Sequence, residues 1–109
     1  MTAITMLCDQ SSNIIKGFEI SGHAGAAEYG SDIVCASVSV LAINTQNAIE
    51  RFCDDEFEQS SNEEDGSMRF VIKDLPGHDA GLLLAAAYLG FEEIAKEYDD
   101  FVSMEIKEV

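Results

Sequence analysis

Positive charge is scarce in this chain. Its 109 residues carry 6 lysines and arginines against 21 aspartates and glutamates, for a net charge of −15. So acidic a surface repels phosphate backbones and anionic membranes, because each approach brings like charges together. Direct nucleic-acid binding and membrane binding are therefore not expected. No apolar run approaches the ~20 residues that a membrane span requires. The chain opens on Met1-Thr2-Ala3-Ile4 with neither a basic start nor a small-residue cleavage site, so no signal peptide is read there. Cysteines number only three (Cys8, Cys35 and Cys53), which leaves at least one thiol unpaired in a monomer. The expected setting is the cytoplasm, with the thiols reduced. Internal repeats and linkers are missing too, and residues 1–109 read as one domain.

What is present is a globular composition. Hydrophobic residues make up 47%, enough for a core that needs no metal or disulfide staple. Thr2 to Cys8 alternates as a strand, with Ile4, Met6 and Cys8 on one face. After the polar turn Asp9 to Asn13, Ile14 to Ser21 alternates again, with Ile14, Phe18 and Ile20 on one side and Lys16 as the exception. Together they suggest a hairpin. Gly22 to Gly30 breaks the regularity. From Ser31 to Cys53, Val38, Leu41, Ala42, Thr45, Ala48, Ile49 and Phe52 recur at helical spacing. The first half of that helix is apolar on nearly every side, which predicts burial by a sheet on one flank and by something else on the other.

Asp54 to Gly66 is acidic and reads as an exposed edge and turn. Ser67 to Lys73 is a strand, about Ala80 to Tyr98 a second helix, and Val102 to Ile106 a last strand. The expected fold is α+β in two layers, a mostly antiparallel or mixed sheet carrying two main helices. Cys8 and Cys53 read as packing residues and His78 as a surface turn residue. The acids from Asp54 to Asp65 lack the spaced ligands and turn glycine of a calcium loop. No metal or cofactor is implied.

The run from Gly22 to Cys35 carries the chemistry. His23 stands just past a strand end, and Cys35 in the first turn of a helix starting at Ser31 or Asp32, both good N-caps. The leading end of a helix favours an anion, and the thiolate is the nucleophilic form of cysteine. A histidine within hydrogen-bond reach completes the activation, and the free N–H groups of the first turn can hold an oxyanion. Asp32 either orients the histidine or caps the helix. Ser39, one turn beyond Cys35, either lines the site or lets helices pack closely.

Gly22-His23-Ala24, then Gly30-Ser31-Asp32-Ile33-Val34-Cys35-Ala36, then Ser39, resembles the signature of the ribosomal-processing cysteine protease family, Prp. The likeness extends to the flanking hairpin and helices. It implies that His23 is the base and Cys35 the nucleophile, with Asp32 and Ser39 on the motif's aspartate and serine. It also implies a substrate loop from Ala24 to Gly30, framed by Gly22, Gly25 and Gly30, and a homodimer. The implied substrate is the precursor of a large-subunit ribosomal protein, which loses a short N-terminal extension. Such proteins are basic, the complement of a −15 enzyme.

Two other functions fit parts of the pattern. A strand, a glycine-rich loop and a helix start can cradle phosphate, but the loop has no Gly-Lys-Ser/Thr ending and no lysine. A non-enzymatic ribosome-associated module could bind a basic tail, with Cys35 merely buried.

Overall fold

The computed structural model describes residues 1–22 and 31–109, except for the side chains of Ser31 and Asp32. Its elements run β1 (Thr2–Cys8), β2 (Ile15–Ser21), α1 (Ser31–Phe52), β3 (Phe57–Asn62), β4 (Ser67–Ile72), α2 (His78–Glu97) and β5 (Val102–Glu108). The strands form a sheet in the order β3-β4-β2-β1-β5. Three neighbour pairs are antiparallel, while β1 and β5 run parallel. This is the mixed α+β architecture expected from the residues. The parallel pair follows from α2, a crossover long enough to carry the chain back so that β5 starts beside Thr2.

Period-two alternation decides which side of the sheet is covered. Ile4 and Met6 of β1, Phe18 and Ile20 of β2, and Phe70 and Ile72 of β4 point to the same layer. They are buried against Val34, Val38, Ala42 and Ile49 of α1 and Ala80, Leu84, Ala87 and Phe91 of α2. Phe18 is at the centre, with ring centroids 5.7 Å from both Phe70 and Phe91. Both helices therefore lie on one face. Cys8 is 4% exposed, a packing residue, and no disulfide joins any of the three cysteines.

The Lys16 exception has a structural cause. Leu7 pairs with Gly17 but Cys8 pairs with Ile15, so Lys16 is the extra residue of a β-bulge. The bulge switches the face, and Ile15 rather than Ile14 packs on the core while Ile14 is exposed. The turn before it is held by Asp9, whose Oδ2 accepts from the hydroxyls and N–H groups of Ser11 and Ser12. Those bonds, led by the Ser12 hydroxyl, hold the Asp9 carboxyl below its usual range. Phe52 also departs from the sequence reading: it is 70% exposed, on the outer side of the last turn of α1, while Ile49 before it and Cys53 after it face the core.

Gly17 marks a close approach between strands. A Cβ there would run into the Phe70 carbonyl and lie 2.7 Å from Val71 Cα. Gly17→Ala is therefore expected to destabilise the domain by about 1–3 kcal/mol, the usual range for overpacking. Urea unfolding measures it, and an unchanged midpoint would refute the close approach.

Candidate active site

Cys35 is the fifth residue of α1, so it opens the second turn rather than sitting in the first. Helical side chains lean back toward the N-terminus, which directs this one over the start of α1. The thiol is half-buried and its Sγ lies 3.3 Å from Oγ1 of Thr2, the first residue of β1. Thr2 is only 2% exposed, and its N–H is fixed to the Phe101 carbonyl at 2.8 Å. The sulfur is thus held between the start of a helix and the start of a strand.

The same corner of the sheet holds the end of β2. Ser21 pairs with Ala3, the residue next to Thr2. Gly22 follows at φ 69°, and a side chain there would collide with the Met1 carbonyl, so this position suits glycine. With ladder partners about 5 Å apart and successive Cα atoms about 3.8 Å apart, β2 ends within roughly 10 Å of Thr2. His23, Gly25 and Gly30 lie outside the described residues, as does the side chain of Asp32, whose backbone belongs to α1. Ser39 is half-buried on α1, one turn beyond Cys35.

From Ser39 a cleft of about 320 Å³ runs between α1 and the β3–β4 hairpin, lined also by Ile43, Gln46, Gln59, Ser61 and Met68. Two residues of this corner escaped the sequence reading. Thr2 shows only strand parity in the sequence, and its neighbour across the layer interface depends on how α1 docks. Gln46 has the same helical phase as Cys35, a signal that becomes informative only once that side of α1 is known to border a cleft.

The other two thiols sit in different surroundings. Cys53 follows the C-terminal end of α1; burial first, then the carboxylates of Asp55, Asp79 and Asp54, push its thiol up. His78 is exposed at the start of α2, with Nδ1 3.1 Å from Asp79. Among the described residues no helix is long and apolar enough to cross a membrane.

A family model for the cysteine protease Prp matches residues 1–103. The chain belongs to that family. Prp relatives include the ribosomal processing cysteine protease of Staphylococcus aureus, 27% identical over 88 residues (81% of this chain, 83% of the relative). That of Bacillus subtilis is 30% identical over 90 residues (79% and 80%). Among solved structures, S. aureus Prp with a substrate peptide superimposes at a TM-score of 0.91, with 22% identity, over 98% of this chain and 100% of that one. A Streptococcus mutans protein superimposes at 0.87 with 32% identity, over 100% and 99%. The Prp signature read from Gly22 to Ser39 and the five-stranded fold thus agree on one family, and the chain is a cysteine protease.

Proposed function

We propose that residues 1–109 act as one endopeptidase domain that removes the N-terminal extension of a basic large-subunit ribosomal protein precursor, with Cys35 as nucleophile and His23 as its base. The observation that carries this reading is the corner where the Cys35 sulfur, at the start of α1, meets Thr2 beside the strand end that leads into His23. His23 follows Gly22 directly in the sequence. The Prp relatives are named for ribosomal processing, and a field from 21 acids attracts a basic substrate.

The reaction follows the thiol–imidazole pattern. As sulfur attacks the scissile carbonyl carbon, the imidazole of His23 takes the thiol proton. The oxyanion is held by N–H groups at the start of α1, which have no intrahelical acceptor. Collapse expels the amine, which leaves with that proton, and a thioester remains on Cys35. Water, deprotonated by the same imidazole, then releases the carboxylate product and restores the thiol. Thr2 keeps the sulfur in place, Asp32 and Ser39 support it, and Gly22, Gly25 and Gly30 shape the substrate loop.

The working unit is a cytoplasmic homodimer. Support comes from the outer side of the helical layer, where Ile33 and Val40 of α1 are 66% and 67% exposed and Leu82 and Leu89 of α2 are 62% and 60% exposed. A second copy covering this side is the further layer that the all-round apolar start of α1 asks for.

Incubation with a ribosomal-protein precursor should yield a single new N-terminus by mass spectrometry. Raising the salt should slow cleavage of the full-length basic precursor more than cleavage of a short neutral peptide, because attraction over ~8–10 Å is screened. An intact precursor after prolonged incubation, or equal salt slopes, would count against the enzyme reading and the steering respectively.

A further inference from the structure

Gln46 lies about three turns beyond Cys35 on nearly the same side of α1. Its Oε1 is buried and has no hydrogen-bond partner among the described residues. Buried side-chain acceptors are seldom left unpaired, since each loses its water for nothing. Gln46 itself lines the cleft that begins at Ser39, one turn from the nucleophile. The opposite wall carries Met68, and the hairpin tip, which the strand ladder sets at the Thr2 end of the sheet, is acidic, with Glu63 in the lining and Glu64 and Asp65 exposed beyond it.

We propose that this cleft is a substrate subsite and that Gln46 is a specificity-determining residue of it. Its occupant is an extended stretch of the substrate peptide on one side of the scissile bond. A main-chain N–H of that stretch donates to Gln46 Oε1, an apolar side chain rests on Ile43 and Met68, and a basic side chain meets Glu63. This rests on Cys35 being the nucleophile. Spacing sets the register. Ile43 and Gln46 are roughly 12 and 16 Å along α1 from Cys35, and extended peptide advances about 3.3 Å per residue. The apolar residue therefore falls about four positions from the scissile bond and the bound N–H about five. An unpartnered acceptor is what such a subsite requires, because a partner within the fold would compete with substrate.

The test uses the full chain and a cleavable peptide extending at least six residues to each side of the scissile bond. Gln46→Leu should lower kcat/KM about tenfold, chiefly through KM, while the rate of Cys35 alkylation by iodoacetamide is unchanged. Its thermal midpoint should hold or rise, since the unpaired acceptor is gone. Gln46→Glu, which keeps the acceptor, should stay within about threefold of wild type in KM. Trimming the peptide to four residues on the side that enters the cleft, which removes the bound N–H and keeps the apolar residue, should raise KM similarly in wild type and have little effect in Gln46→Leu. If Gln46→Leu cleaves within twofold of wild type while Cys35→Ala is dead, the subsite is wrong and the protease reading stands. If wild type cleaves no peptide and Cys35 alkylates no faster than Cys8 and Cys53, both fall together.

Discussion

Replacing Cys35 by alanine should abolish cleavage, a loss of at least about 10⁴-fold, and leave the fold intact. The magnitude is that of deleting the attacking atom from a covalent protease, where only binding and oxyanion stabilisation remain. Stability should change little, because the thiol is half-buried and its bond to the Thr2 hydroxyl, at 3.3 Å, is a weak one. His23→Ala should cost about 10²–10⁴-fold, the usual worth of a positioned base, and should also slow alkylation of Cys35. Mass spectrometry of the product beside a thermal melt separates chemistry from folding. Activity within tenfold of wild type in Cys35→Ala would move the nucleophile elsewhere. Neither alternative is well suited. Cys8 is closed off in the sheet, and Cys53 stands at the negative end of α1 among carboxylates that hold its proton on.

Phe18→Ala should be the most damaging single change in the core, at about 3–5 kcal/mol out of the 5–15 kcal/mol that a domain of this size has in all. The ring is fully buried and joins the layers, stacked on Phe70 of β4 and edge-on to Phe91 of α2. Its loss leaves a cavity that neither neighbour can fill without leaving its own strand or helix. Urea unfolding should give an earlier midpoint with a similar slope. A loss under 1 kcal/mol would mean that α2 settles onto the sheet easily, and that Phe18 does not hold the layers apart.

Much of this was legible from residues alone. Alternation marked β1, β2, β4 and β5, and helical spacing marked both helices, because one-sided burial leaves its period in the sequence. β3 was readable only as an edge, since it faces solvent along nearly its whole length and carries no such period. The bulge was visible as an anomaly at Lys16, but which isoleucine turned inward depended on a ladder that only pairing defines. The parallel partnership of β1 and β5 is a long-range choice that no local pattern encodes. At the proposed site, Cys35 and His23 were paired mainly on resemblance to the Prp signature, since a cysteine near a helix start and a histidine in a loop are ordinary on type and spacing alone. Thr2 and Gln46 did not stand out, because a threonine in a strand and a glutamine in a helix are ordinary until the docking of α1 gives them a neighbour or a cleft.

The placement of the sulfur atoms bears on how the protein meets an oxidant. Cys53 lies roughly 27 Å from Cys35 along α1. Cys8 ends the strand that Thr2 begins, about 20 Å away. A disulfide needs its Cα atoms within about 7 Å. Peroxide arriving at Cys35 therefore finds no second thiol in the same chain to trap a sulfenic acid as a reversible bridge. Recovery would depend on an outside thiol such as glutathione, and under sustained oxidant the chain has no internal protection against passing to the irreversible acids.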